Sequence, residues 1–241
     1  MDEWNARYLE QWKADFRDEP DSEKSFAFLK AVLRELKALE TTANSSPQSI
    51  ASSLTTIIID QQDPEESLLE FQAVLFEAAI SSPLDSRNLA DVTRSLVQGL
   101  PSSLAEKLQY NIASNARERW NGPDSPSPKK DMNRCIQEWV ALNTFVAHLT
   151  QVRAVPLEDY ALRAFNRAFH SDSTLDKEAD YHIPAAGAWI RILGKEIYVW
   201  STFAPADGLQ DVPFNQDKWN QWKRGFEAYS NCNHETRAQH K

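Results

Sequence analysis

The strongest structural signal in the chain lies at residues 63–83, which read DPEESLLEFQAVLFEAAISSP. The stretch opens with Asp63 and Pro64, followed by two glutamates. A capping acid, a proline in the first turn and acids near the positive end of the helix dipole together predict a helix start. The residues behind them are apolar at helical spacing, until Ser82 and Pro83 interrupt the pattern. The stretch therefore predicts one amphipathic helix between two breaks.

The same signals recur on both sides of this stretch. Ser46 and Pro47 again pair a capping side chain with a proline at the first helical position, and Trp4 and Tyr8 open a stripe of aromatic residues spaced four apart. The chain has only six glycines, too few for the turns of a typical antiparallel β protein. We predict an all-α fold, an irregular array of about ten packed antiparallel helices in a single domain. No fixed-period repeat recurs, which argues against a regular solenoid.

Two segments test this prediction. Residues 55–59 read TTIII, and such β-branched runs favour a strand. No other segment offers a partner strand, so we interpret the run as a buried helix. Residues 121–130 contain Gly122, Pro123 and two further prolines among serines and charges, which is typical of a linker. The amphipathic pattern is similar on both sides, so we predict an internal loop within one domain rather than a boundary between two.

Composition and charge narrow the functional classes. The net charge is −9, and basic residues are interleaved with acids, which speaks against a nucleic-acid binder. Two cysteines cannot build a disulfide framework. The start of the chain lacks the pattern of a secretory signal, and no apolar run is long enough for a membrane span. We expect a soluble cytoplasmic protein that binds neither nucleic acid nor membrane, with a nuclear location left open.

The sequence contains no pattern that commits it to a reaction. It has no glycine-rich phosphate loop, no His-Glu-x-x-His pair and no Gly-x-Ser-x-Gly motif. The five histidines show no ligand spacing, so we predict neither a metal site nor a cofactor. No catalytic residue is assigned, and the sequence leaves open whether the chain is an enzyme.

His182 is the histidine with the most distinctive surroundings. It precedes Pro184 and a run of small residues, Ala185–Ala188, which we interpret as the start of a helix. The free N–H groups of such a start could hold an anion. The alternative is that His182 caps the helix and the alanines allow close packing, and buried polar groups at helix ends more often serve as caps.

Aromatic residues are concentrated in the last third of the chain. Residues 219, 222, 226 and 229 share one helical face, and another aromatic group follows His182. Such faces line pockets for flat apolar molecules or receive partner helices, although an aromatic stripe more often belongs to the core. The candidate ligand-binding residues are His182, Trp189, Tyr198, Trp219 and Trp222.

The same region carries a family resemblance. Residues 182–186 read HIPAA, residues 194–198 read GKEIY, and residues 219–226 read WNQWKRGF. These strings resemble the fungal family of unknown function DUF3632, whose members look like IPAAAxWI…G…IY followed by GFSxxRWxFWKxRF. The resemblance is strongest over residues 181–229. It implies a fungal, intracellular, all-α protein and a family that spans most of the chain, and it implies no activity.

Two functional hypotheses remain for the chain. The first is a non-catalytic helical interaction or scaffold protein that uses aromatic helix faces to bind a protein partner. The second is a binder of a small apolar molecule, or an accessory enzyme of fungal secondary metabolism, with an aromatic pocket between the last two long helices. Substitution of Trp222 separates them, because a pocket residue can be removed without unfolding the protein.

Overall fold

The computed structural model describes residues 1–16, 22–40, 46–122, 127, 130–169, 176–202 and 214–239. Within these ranges the chain forms ten α-helices, one short 3-10 helix and no strand, which confirms the all-α prediction. The helices are α1 (Asp2–Asp15), α2 (Ser22–Lys37), α3 (Pro47–Ile59), α4 (Pro64–Ser81), α5 (Ser86–Gly99), α6 (Ser102–Arg119), α7 (Met132–Gln151), α8 (Glu158–Phe169), α9 (Asp176–Thr202) and α10 (Gln216–Gln239). The 3-10 helix is Ala38–Glu40.

Side-chain caps start three of these helices, and at two of them, α3 and α4, the sequence predicts the cap. The Asp63 carboxylate accepts a hydrogen bond of 3.1 Å from the backbone N–H of Glu66 at the start of α4. The Ser46 hydroxyl accepts one of the same length from the backbone of Ser49 at the start of α3. Asp85 caps α5 in the same way. Each cap satisfies a backbone donor that the helix itself leaves without a partner.

The β-branched run at 55–59 is helical, as predicted, and ends α3. Leu54 and Ile58 are fully buried, so the packing of this face outweighs the strand preference of the side chains. The Thr55 hydroxyl donates a 2.8 Å hydrogen bond to the carbonyl of Ala51, one turn earlier. This bond satisfies the polar group inside the helix.

The helices form two compact units. The first contains Met1–Asp124 together with His148–Leu157, and the second contains Ser125–Ala147 together with Glu158–Lys241. The boundary after Asp124 falls inside the loop predicted at 121–130, of which residues 123–126 and 128–129 lie outside the described residues. The single domain stays a prediction. The loop predicted from Phe203 to Pro213 also lies outside the described residues.

In the first unit, α3 packs against α5 and α4 packs against α6. Together with α2, their apolar faces make up a core of leucines, isoleucines and phenylalanines, including Leu33, Leu54, Ile58, Leu68, Phe71 and Phe76. The indole N–H of Trp4 donates a 2.8 Å hydrogen bond to the Ser81 hydroxyl, which fastens α1 to the end of α4. No described helix is both long enough and apolar enough to cross a membrane.

In the second unit, α9 packs against α8, and α10 packs against both. Ala185, Ala186 and Ala188 are almost fully buried, because their small side chains let a neighbouring helix approach closely. Helix α10 continues to Gln239, beyond the aromatic face that ends at residue 229. The aromatic residues of α8, α9 and α10 fill the space between these helices.

Gly225 marks a close approach of α10 to α8. A Cβ atom on this residue would lie 2.3 Å from Cδ1 of Phe169, and the Phe169 ring in turn packs edge-on against Phe226. Alanine gains about 1 kcal/mol in helix propensity over glycine. Overpacking typically costs about 1–3 kcal/mol. We therefore expect Gly225→Ala to lower the free energy of unfolding by up to about 2 kcal/mol net, measured by urea denaturation.

Gly194 in α9 provides the matched control. Its nearest neighbour is Cγ2 of Ile190, 3.5 Å from an added Cβ, which is ordinary van der Waals contact. Gly194→Ala should therefore stabilise the protein by about 0.5–1 kcal/mol through helix propensity alone. A stabilising effect of the same size in Gly225→Ala would show that Phe169 moves aside at no cost.

Candidate functional site

The five candidate residues all lie on α9 and α10, in the second compact unit. His182, Trp189 and Trp222 are buried, whereas Tyr198 is 47% exposed and Trp219 is half-buried. The structure thus divides the predicted set into three core residues and one surface pair. The structure does not bring all five side chains together at one site.

His182 lies inside α9, and the predicted helix start after it is wrong. The helix begins at Asp176 and includes Pro184, whose missing N–H leaves the carbonyl of Asp180 without its usual helical donor. Burial of Tyr181, Ile183 and the following alanines stabilises the helix across this defect. Because these residues lie within the helix, the predicted anion site and cap at residues 182–188 have no free helix start on which to form.

The His182 ring contacts an aromatic side chain of α7. Its ring lies edge-on to Trp139 of α7, with 5.9 Å between ring centroids. Arg167 lies over the same indole at 5.9 Å. Burial, and to a lesser extent the nearby Cys135, raises the pKa of Tyr181. His182 is therefore part of a packed contact between α7 and α9.

Trp189 occupies the centre of the second unit. Its side chain is fully buried, and its indole N–H donates a 3.0 Å hydrogen bond to Oδ1 of Asn143 on α7. The Asn143 amide in turn donates a 2.9 Å hydrogen bond to the carbonyl of Trp139. This chain of bonds satisfies the polar atoms of a large buried ring, as the packing of a core tryptophan requires.

Trp222 is held between two phenylalanines. Its ring stacks on Phe165 of α8 with a centroid distance of 4.5 Å and an interplanar angle of 23°. Phe214 packs edge-on at 6.1 Å. A stacking distance of 4.5 Å is van der Waals contact, so the space beside this indole is occupied by protein. Trp222 is 2% exposed and has the contacts of a core residue.

Tyr198 and Trp219 form the exposed part of the predicted set. Their rings meet at 5.5 Å with an interplanar angle of 66°. Val199, the next residue on α9, is 41% exposed. We call Tyr198, Val199 and Trp219 the aromatic patch. Large apolar side chains held together at a surface are typical of interaction sites, whereas scattered ones need no explanation.

Basic side chains lie beside the aromatic patch. Lys195 is exposed one turn before Tyr198 and Val199 on α9, and Arg191 is exposed two turns before them. Lys223 is exposed one turn after Trp219 on α10. None of the three forms an ion pair with a residue that the structure describes. In a chain of net charge −9, this gives the patch a local positive rim.

The sequence did not single out Asn143, the partner of Trp189. The signal was present, because Asn143 interrupts the apolar stripe that Trp139, Leu142 and Val146 form on α7. A polar residue at such a position has to find a buried partner. The identity of that partner is a property of the tertiary structure.

In the first unit, Glu70 is a carboxyl group with a shifted pKa. Burial raises the pKa of Glu70, a hydrogen bond with Ser25 opposes the shift, and the charge of Glu66 adds to it. These residues line a shallow cleft between α2 and the start of α4. Within the described chain, no three His, Cys, Asp or Glu side chains are placed to hold a metal ion.

A family profile described as "Protein of unknown function (DUF3632)" matches residues 7–226. No curated protein and no solved structure matches the chain. The family match covers both compact units and includes all five candidate residues.

Proposed function

The chain belongs to the DUF3632 family, which is described only as of unknown function, and we propose from its own surface that it is a non-catalytic helical interaction protein. Its binding surface is the aromatic patch, and its partner is a protein segment that carries acidic residues around an apolar side chain. The observation behind this proposal is the exposed contact between Tyr198 and Trp219. Tyrosine and tryptophan are the residues most enriched at binding hot spots.

The charges around the aromatic patch support an acidic partner. Arg191, Lys195 and Lys223 are exposed and have no acidic partner among the described residues. Basic groups at the rim of an interface mainly raise the association rate and select against basic partners. The apolar centre supplies affinity and the rim supplies selectivity.

The alternative is a small-molecule binder or accessory enzyme with an aromatic pocket. This hypothesis needs space beside Trp189 or Trp222. Trp189 is fully buried with its N–H bonded to Asn143, and the Trp222 ring stacks on Phe165. These contacts support the interaction protein over the pocket, and the Trp222 substitution treated in the Discussion tests the choice.

We expect the double variant Tyr198→Ala/Trp219→Ala to lose its partner. Truncating a hot-spot aromatic typically costs about 2 kcal/mol or more in binding, so retention in an affinity pull-down should fall by roughly thirtyfold or more. The matched control is Tyr110→Ala, which removes a tyrosine that is 67% exposed on α6. The free energy of unfolding of both variants should stay within about 1 kcal/mol of that of the parent chain, because the changes lie at the surface.

The same pull-down identifies the kind of partner that binds the aromatic patch. Proteins retained by the parent chain and by Tyr110→Ala, but lost from the double variant, support the proposal if their binding weakens with salt and with Lys195→Glu. Equal retention by the double variant overturns the aromatic patch as the binding surface. A dimer in gel filtration that disappears in the double variant would replace the acidic partner with a second copy of the chain.

The cytoplasmic location and the fungal origin expected from the sequence also stay predictions. A fluorescent fusion tests the first of these by microscopy. A signal throughout the cytosol is expected, and accumulation in a membrane-bounded compartment would contradict it.

A further inference from the structure

Four serines in the chain precede a proline, and they differ in the residues after that proline. These are Ser46, Ser82, Ser125 and Ser127. Only Ser127 has a basic residue three positions downstream, in the string Ser127-Pro128-Lys129-Lys130. A proline after the serine has no N–H to satisfy, and a lysine at the third position offers a charge for recognition. This combination is the substrate pattern of proline-directed protein kinases that also require a basic residue.

The structure separates Ser127 from two of the other serines. Ser127 is exposed, and its backbone exchanges hydrogen bonds of 2.8 and 3.0 Å with the backbone of Lys130. The Ser46 hydroxyl instead caps α3. The Ser82 hydroxyl accepts a 3.2 Å hydrogen bond from the backbone of Leu84 and is half-buried. The Ser46 and Ser82 hydroxyls both hold local structure, and Ser127 is exposed on the surface.

The charges next to Ser127 are arranged so that a new anion changes their pairing. The Lys130 ammonium pairs with the Glu138 carboxylate on α7. Glu138 also accepts a 2.9 Å hydrogen bond from Arg134, one turn before it. A phosphate on Ser127 carries about −1.5 to −2 charges and three acceptor oxygens. Lys130 can therefore turn to the phosphate while Arg134 keeps Glu138 paired.

We propose that Ser127 is a phosphorylation site for a proline-directed kinase that reads Lys130, and that the phosphate then takes Lys130 from Glu138. The γ-phosphoryl group of a nucleoside triphosphate is transferred to Oγ of Ser127. The new bond joins Oγ to phosphorus, the bond between the β- and γ-phosphates breaks with its electrons leaving on the diphosphate, and the hydroxyl proton passes to the base of the kinase. The inference is independent of the aromatic patch.

The test treats the full chain with a cyclin-dependent kinase and ATP, and maps the sites by mass spectrometry. We expect phosphate on Ser127, none after Ser127→Ala, and a rate about tenfold lower for Lys130→Ala, because a charge-assisted contact to the kinase is lost. The control is Glu138→Gln, which breaks the ion pair but keeps the kinase pattern, and should stay within about twofold of the parent rate.

Two results would overturn the site. One is phosphate on Ser46, Ser82 or Ser125 at a rate equal to or above that of Ser127, and the other is unchanged labelling in Ser127→Ala. Phosphopeptide mapping of the chain expressed in a eukaryotic host should show the same single serine, and its absence there would count against a role in cells.

The change in ion pairing has its own test. A phosphate monoester has a second pKa near 6, and a nearby ammonium lowers it. Phosphorus NMR of the phosphorylated chain should show a lower second pKa for the parent than for Lys130→Ala. Equal values would overturn the transfer of Lys130 to the phosphate, whatever the mapping shows.

Discussion

Replacing Trp189 with alanine is expected to lower the free energy of unfolding by about 3–5 kcal/mol, the usual cost of deleting a large buried aromatic ring. The indole extends from α9, is fully buried and donates a hydrogen bond to α7, so its removal leaves a cavity. The loss is comparable to a large part of the total stability of a typical domain. Urea denaturation followed by circular dichroism measures it, and the variant should be partly unfolded at 37 °C.

Trp189→Phe separates the hydrogen bond from the bulk of the ring. Phenylalanine keeps most of the apolar contact but leaves Oδ1 of Asn143 without the 3.0 Å bond that the indole donates. Leaving a buried acceptor unsatisfied costs about 1–3 kcal/mol, so this variant should lie between the parent and Trp189→Ala. A cost for Trp189→Phe as large as that for alanine would mean that the hydrogen bond, and not the packing, dominates the site.

Replacing Trp222 with alanine should cost a similar amount, about 3–5 kcal/mol, because this ring is also buried and stacks on Phe165. The matched change is Trp219→Ala on the same helix. Trp219 is half-buried and contacts the exposed Tyr198, so we expect a loss of about 1 kcal/mol or less. The two variants remove the same side chain from α10, three positions apart. The difference between their free energies of unfolding therefore measures the contribution of burial.

The comparison of these two variants also decides between the functional hypotheses. If Trp222→Ala remains as stable as the parent and no longer binds a flat apolar probe such as ANS, then the ring lines a pocket and the small-molecule hypothesis is favoured over the interaction proposal. If Trp222→Ala is strongly destabilised while Trp219→Ala stays folded and loses a protein partner, the pocket hypothesis is excluded at this position.

Helix starts could be predicted from the sequence because capping is a local interaction. Asp63, Ser46 and Asp85 each bond to a backbone N–H within three residues, so chain neighbours alone determine the geometry. The helical interpretation of residues 55–59 instead depends on the lack of a partner strand elsewhere in the sequence, and in the structure burial of Leu54 and Ile58 outweighs the strand propensity.

The start of α9 could not be predicted in the same way. Pro184 follows His182 and precedes small residues, which locally resembles a first turn. In the structure the proline is the ninth residue of a helix that begins at Asp176. Burial of its neighbours outweighs the lost backbone bond. Because that burial involves residues of other helices, it cannot be read from the segment itself.

The sequence by itself determined the helical class, the helix starts with side-chain caps and the face on which each aromatic residue lies, since all three depend on contacts within one helix turn. Only the tertiary structure decided that Trp189 and Trp222 are core residues whereas Tyr198 is exposed and Trp219 is half-buried at the surface. All four have helical spacing suited to either role. The burial of Trp189 and Trp222 depends on Asn143 and Phe165, which lie at least 46 residues away along the chain.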